Sequence, residues 1–355
     1  MNVLLTGHAG YIGTVVARVL IESGHDVTGL DTGFFAGCGF AAGVPRMREI
    51  LKDIRDVEAA DFAGIDAVIH LAALCNDPLG DLDPALTADI NHRATIRLAR
   101  CAREAGVRRF VYASSCSLYG AARGEDLLTE EAPMRPLTPY AASKVRSEED
   151  LSTLADSGFS PIYLRNATAY GLSPRLRGDI VLNNLVAWAV TRRLILLKSD
   201  GTPWRPIAHV EDIANAFLAA LEAPREAVFN EAFNVGRTVH NYQIRDIAEV
   251  VARTVPGCRL EYASEAGPDA RSYCVDFGKI ARVLPAFRPR WDAAAGAQQL
   301  YTAYRSAGLT REEFEGPRYQ RISHVRELLV SQSVDRSLRW LPDVQAPTRK
   351  LVASA

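Results

Sequence analysis

The sequence has 355 residues, 48% of them hydrophobic, with 41 Lys+Arg against 42 Asp+Glu and a formal net charge of −1. That length can bury a substantial core in one large domain or two smaller ones, and the balanced charge offers no basic field for nucleic acid. No apolar run reaches membrane-spanning length and no leader pattern opens the chain, so a cytoplasmic protein without nucleic-acid or membrane partners is expected. Cys38, Cys75, Cys101, Cys116, Cys258 and Cys274 are scattered without a C-x-x-C pair or a histidine at ligand spacing. Free, mostly buried thiols and no metal site are the expectation.

The first thirty residues read as strand, glycine turn, helix, strand. Val3, Leu4 and Leu5 form an apolar run suited to a strand buried on both faces, and Ile12, Val15, Val16, Val19 and Leu20 recur at helical spacing. Gly7, Gly10 and Gly13 lie between, where missing side chains let backbone turn tightly, approach a diphosphate and pack against the sheet. A helix N-terminus with unpaired N–H groups favours the diphosphate of a dinucleotide. Asp31 ends the second strand, where a carboxylate can accept from a ribose diol and repels a 2′-phosphate, which favours NAD over NADP.

Residues 32–45 are rich in glycine and small side chains and suit a loop under the adenosine end of the cofactor. A strand near Arg48 to Leu51 runs into Asp53, for which two roles stay open, acceptor for the adenine amino group or solvated strand-end acid. Ala67 to Leu71 is a further buried strand, followed by small residues that let a cofactor lie close to backbone; His70 reads as structural. Pro84 to Gly106 has helical spacing, and Phe110 to Ala113 is a strand that delivers Ser114 through Gly120 to its C-terminal end. This alternation predicts an α/β fold, a Rossmann-type doubly wound parallel sheet with ligands at the strand C-termini.

After Pro133, Pro136 and Pro139, a helix is expected to begin close to Tyr140. Tyr140 and Lys144 are four apart and share one helical face. A phenol is a poor base at its ordinary pKa of about 10, and an adjacent ammonium favours the phenolate. Ser115, from the neighbouring strand end, can donate to the same substrate oxygen.

These residues, with Asn91, the strand Ile162 to Asn166, Tyr170-Gly171 and Arg205 through Asp212, resemble an extended short-chain dehydrogenase/reductase of the NAD-dependent epimerase/dehydratase family. The resemblance implies NAD as cofactor, held by Gly7, Gly10, Tyr11, Ile12, Gly13, Asp31, Asp53, Ile54, Leu71, Ala72, Ala73, Tyr140 and Lys144. It implies a nucleotide-diphosphate sugar as substrate, met by Ser115, Cys116, Ser117, Thr168, Asn184, Arg205 and Arg271, with Ser115, Tyr140 and Lys144 catalytic. Thr168 stands where many relatives have asparagine. The implied organisation is an NAD-binding domain over residues 1–165 and a smaller substrate-binding region over 166–345, in a homodimer joined through helices flanking Asn91 and Tyr140. Residues 290–340 lie beyond the resemblance; Val325, Leu328 and Leu329 have helical spacing that suits packing onto the main body, and Ala346 to Ala355 are expected to be a loose tail.

The reaction expected is C4 epimerisation through a transient 4-keto sugar. A 4-ketoreductase or dehydrogenase and a non-catalytic NAD-binding redox sensor are the alternatives. Related 4,6-dehydratases carry Asp-Glu directly after the residue equivalent to Ser115, where this chain has Cys116-Ser117. Related 3,5-epimerases use a cysteine two residues before the strand-end tyrosine, whereas Cys116 lies three before Tyr119, which on an extended strand turns the thiol away from the sugar.

Overall fold

Val3, Leu4 and Leu5 have no exposed surface in the computed structural model of the protein, which describes residues 1–40, 43–121, 126–267, 272–342 and 344. Successive strand side chains point to opposite faces, so such a run needs cover on both. Val3 and Leu5 join one apolar cluster with Val16 and Phe217, and Leu4 joins another with Leu98 and Phe110. The strand they form, β1 (Asn2–Thr6), lies inside a seven-stranded sheet with β2 (Asp26–Asp31), β3 (Arg48–Leu51), β4 (Ala67–His70), β5 (Arg109–Ser115), β6 (Ser160–Asn166) and β7 (Glu231–Val235). All pairings are parallel, in the order β7-β6-β5-β4-β1-β2-β3. The order reverses between β1 and β4, and a crevice opens at such a switch point beyond the strand C-termini. The doubly wound parallel sheet expected from the sequence is the architecture found.

The sheet draws on both sides of residue 166. Strand β7 pairs with β6, Phe233 opposite Leu164, and the helix Val210–Glu222 packs on the helix Tyr11–Glu22. A third apolar cluster holds the smaller C-terminal lobe together around Tyr170, Leu182, Ile247, Leu300 and Tyr304. Helix Ala293–Ser306 is docked there through the stretch His209 to Asp212: the Asp212 carboxylate accepts from the N–H groups of Arg290 (2.9 Å) and Trp291 (3.1 Å), and the Trp291 ring stacks on His209 at 4.0 Å. Helix Arg321–Val330 returns to the main body, with Val325 in the same cluster as Leu4 and with Leu328 and Leu329 packed against it, as their spacing predicted.

The helical stretch from Pro84 is not one regular helix. Pro84–Ala88 is followed by a wider π turn, Asp89–Arg93, and then by helix Ala94–Glu104. The widened turn is where Asn91 bonds both backbone groups of Leu74, accepting from its N–H at 2.8 Å and donating to its carbonyl at 3.1 Å, and also reaches Ser143 Oγ at 3.2 Å. An inserted residue of this kind redirects a side chain that helical spacing alone would place elsewhere. His70 is structural, as expected: its ring bonds Thr6 Oγ1 (2.6 Å) and Thr95 Oγ1 (2.8 Å), and burial pushes its pKa down to about 3.

The end of β5 is pinned from below by a buried ion pair. Glu148 and Arg165 are each 6% exposed and meet at 2.7 Å; Ser114 also donates to Glu148, and Arg165 Nη1 bonds Tyr119 Oη (3.1 Å) and the Glu130 carbonyl (2.8 Å). Removing one member leaves the other charge buried and uncompensated. Glu148→Leu should therefore lower unfolding stability by about 3–5 kcal/mol, read from urea denaturation. A loss below about 1 kcal/mol would show that the pair does not hold this strand end.

Candidate active site

The glycine turn is closed to side chains. Gly7 has φ of 72°, and a Cβ built there would lie 2.8 Å from the Ala72 nitrogen; one on Gly13 would lie 2.0 Å from the Gly7 carbonyl oxygen. Gly10 caps helix Tyr11–Glu22 without any side-chain bond to its first turn. An uncapped helix N-terminus behind side-chain-free backbone fits the diphosphate of a dinucleotide. Asp31 is fixed against this turn, accepting from the N–H groups of Gly33 (2.8 Å) and Ala9 (3.2 Å).

The turn opens into a cleft of about 820 Å³ that every sequence-predicted cofactor residue lines: Gly7, Gly10, Tyr11, Ile12, Gly13, Asp31, Asp53, Ile54, Leu71, Ala72, Ala73, Tyr140 and Lys144. Ser115, Ser117, Thr168, Asn184 and Arg205 line it as well. Asp53 is engaged by its neighbour: both its oxygens take N–H groups of Arg55, at 3.0 and 2.7 Å, and Arg55 Nη1 donates on to the Ser337 carbonyl at 2.8 Å. Its carboxylate thus anchors the C-terminal segment, and an adenine amino group would share an acceptor already in use.

Tyr140 opens helix Pro139–Ser152, where Thr138 caps the first turn by accepting from the Ala141 N–H at 3.2 Å. Lys144, one turn on and 3% exposed, donates to the Ala113 carbonyl at 2.7 Å, with its ammonium 4.6 Å from the Tyr112 ring centroid and 5.6 Å from that of Tyr140. Burial lowers its pKa to about 8. The Tyr140 phenol is pushed well above its ordinary value by burial, against the opposing effects of the Ser115 hydroxyl and the Arg177 guanidinium. Desolvation of the phenol outweighs the neighbours that lower it. Ser115 caps the short turn Cys116–Tyr119, accepting from the Ser117 N–H at 3.2 Å, which holds its hydroxyl at the strand end.

Residues 3–236 match the family described as NAD dependent epimerase/dehydratase. The chain belongs to this family. It is 31% identical to a UDP-glucose 4-epimerase of Mycolicibacterium smegmatis, over 72% of this chain and 83% of that protein. It is 30% identical to a dTDP-glucose 4,6-dehydratase of Streptomyces griseus, over 83% of this chain and 91% of that one. Among solved structures, MoeE5 in complex with UDP-glucuronic acid and NAD superposes with a TM-score of 0.74 at 28% identity, covering 86% of this chain and all of that one. The protein is an enzyme of the extended short-chain dehydrogenase/reductase type, and its cofactor is NAD.

Within this family cleft, one expected substrate residue is misplaced. Cys116 does not line it: the thiol is 1% exposed, packs in the apolar cluster with Leu118 and Tyr119, and donates to the Arg165 carbonyl at 3.1 Å. Strand β5 ends before it, and the tight turn that follows carries it into the core. Arg271 lies outside the described residues, as do Ala346 to Ala355. Arg205 donates to its neighbour Trp204's carbonyl at 2.8 Å and faces the Tyr273 ring at 6.0 Å.

Several cleft residues escaped the sequence reading. Arg177 and Asp179 form a two-pronged pair at 2.9 Å on both contacts, and Asn76 also donates to Asp179. Burial works against the Asp179 carboxylate, but the Arg177 pair outweighs it and holds it below the ordinary carboxylate value. Asn166, at the tip of β6, lines the cleft with a buried Oδ1 that has no partner among the described residues. The signal for Arg177 and Asp179 was a charged Arg-x-Arg-Gly-Asp run that begins at Arg175, after Leu172-Ser173-Pro174; Asn166 had none beyond its strand-end position.

Two measurements follow from this geometry. The apo-protein should bind NAD more tightly than NADP by about 1–3 kcal/mol, because a 2′-phosphate would meet the fixed Asp31 carboxylate; equal or tighter NADP binding in a calorimetric titration would contradict it. Lys144 gives up its proton near pH 8 in the folded protein and near 10.5 when exposed. Between these values the unfolded chain binds more protons, so stability from this residue rises with pH across that window, by up to about 3 kcal/mol. Urea midpoints of wild type and Lys144→Met from pH 7 upward should diverge in favour of wild type, and a flat difference would show that the lysine is not buried as described.

Proposed function

We propose that the protein is a nucleotide-sugar 4-epimerase, oxidising and re-reducing one sugar carbon through a transient 4-keto sugar. The observation that carries this reading is the pairing of a proton-handling set, Ser115, Tyr140 and Lys144, with a strand end that lacks carboxylates. Position 116 is a thiol turned into the core and position 117 a serine, so neither supplies the acid and base that elimination of water needs. Of the cleft carboxylates, Asp179 is paired with Arg177, and Asp77 accepts from Thr138 Oγ1 at 2.8 Å. The UDP-glucose 4-epimerase relative and the structure of MoeE5 with UDP-glucuronic acid support a nucleoside diphosphate sugar as the substrate class.

Bound NAD supplies a reversible hydride acceptor and, when oxidised, a positive ring charge. Tyr140 takes the proton of the sugar hydroxyl and returns it. A positive charge beside the phenol would lower a pKa that burial raises. Ser115 aligns the hydroxyl by donating to its oxygen, and Lys144 holds the helix face to the strand end. Thr168, Asn184, Arg205 and Arg271 are assigned to the sugar nucleotide. We assign the active form to a cytoplasmic homodimer joined through the helices flanking Asn91 and Tyr140; no helix among the described residues is long and apolar enough to cross a membrane. Sedimentation velocity at the mass of a single chain would refute the dimer.

The test is NMR of UDP- and dTDP-hexoses incubated with the holoenzyme. Inversion at C4 without net consumption of cofactor is expected. Stoichiometric consumption of added reduced cofactor would replace the reading with a ketoreductase, and a dehydrated product with a dehydratase. Tyr140→Phe should cut turnover by about 10²–10⁴-fold with sugar-nucleotide binding retained; near-normal turnover would place the proton carrier elsewhere.

A further inference from the structure

The chain beyond the family match, which ends at residue 236, comes back to the cofactor end of the cleft. It is tied to the loop after β2 by three contacts: Arg318 Nε donates to the Gly39 carbonyl (2.8 Å), the His324 ring bonds the Phe34 carbonyl (2.7 Å), and Trp340 Nε1 donates to the Thr32 carbonyl (2.7 Å). Arg55 adds the contact to Ser337 already described. These bonds bring Gln320, Arg321, Ile322 and Val325 into the wall of the cleft that also contains the glycine turn, Asp31, Phe34 and Phe35.

Arg321 is anomalous among them. Its side chain is 2% exposed, and its guanidinium lies 4.0 Å from the Phe35 ring centroid. Nη2 donates to the Arg175 carbonyl at 3.1 Å, but Nη1 is buried without a hydrogen-bond partner among the described residues. Burial disfavours its charge and outweighs the favourable neighbours Cys38, Cys75 and Asp179, while Arg177 adds repulsion of like sign. The carboxylate in this corner, Asp179, already takes two N–H groups of Arg177 and one of Asn76. A buried cation with an unused donor costs stability unless something anionic completes it.

We propose that Arg321 is a binding residue for the diphosphate of the dinucleotide, contributed by the C-terminal segment to the same cleft as the glycine turn. The forked guanidinium matches paired phosphate oxygens, and the surrounding Phe34, Phe35, Ile322 and Val325 offer the uncharged adenosine only apolar contact. Arg321 packs against the loop that follows Asp31, through the Phe35 ring, which puts it on the cofactor side of the cleft. The inference rests on NAD being the cofactor and is independent of which sugar reaction follows.

The experiment titrates the full-length apo-protein, as wild type, Arg321→Met and Arg321→Lys, with ADP-ribose, adenosine and UDP, followed by NMR so that weak binding is measurable. The methionine variant should lose roughly 10- to 100-fold in ADP-ribose affinity, as expected for a charge-assisted pair, with adenosine and UDP unchanged. The lysine variant, which keeps the charge and loses the fork, should fall between; it carries the test if the methionine variant does not fold. Equal losses for adenosine and ADP-ribose would reduce Arg321 to a support for the loop. A loss confined to UDP would assign it to the substrate's diphosphate, and unchanged affinities would remove it from binding; each of these overturns the proposal.

Discussion

One face of the helix Pro139–Ser152 carries the construction of the site. Tyr140, Lys144 and Glu148 stand four residues apart, so they line up over successive turns. Tyr140 faces the cleft, Lys144 bonds the Ala113 carbonyl, and Glu148 bonds Ser114 and Arg165. Two of the three therefore grip consecutive residues at the end of β5, and the third is left beside Ser115, the next residue along. The distance between phenol and serine hydroxyl is set by this grip and not by a flexible loop. Burying an ammonium and a carboxylate to achieve it is expensive, and each is held by hydrogen bonds that recover part of that cost.

The cleft is poised for an anion and against a phenolate. Lys144, Arg177 and Arg321 bring buried positive charge to it, and Asp179 pairs directly with Arg177. A dinucleotide and a sugar diphosphate are the ligands whose charges complete such a site. The same desolvation that raises the Tyr140 phenol makes every charge in the cleft count for more than it would in water.

Local features were legible in the sequence because local chemistry fixes them. A Cβ at Gly7 or Gly13 collides with backbone only a few residues away or across one strand, and Tyr140 with Lys144 needs no more than one helical turn. The doubly wound sheet followed from alternating apolar runs of strand and helix length. What escaped depended on contacts between distant segments. Cys116 was placed among the substrate residues by resemblance, although an extended strand already turned its thiol away; the turn that Ser115 caps carries it into the core. Asp53 was open to two roles because its Arg55 partner is drawn in by Ser337, far along the chain. Arg321 carried no motif at all; only the return of the C-terminal helix to the cofactor loop reveals it. Asn91 was recognised by resemblance, yet its geometry comes from a π turn that apolar spacing does not encode.

The central claim is that the chemistry moves a hydroxyl proton through Tyr140 and a hydride at one carbon, with no abstraction of a carbon-bound proton. Running the reaction in deuterated water and locating label in the recovered sugar by NMR and mass spectrometry tests this most directly. The account predicts a C4-inverted product with no solvent deuterium on any carbon. Deuterium at C3, C5 or C6 would contradict it, because a group able to remove a C–H proton would then have to act in this cleft.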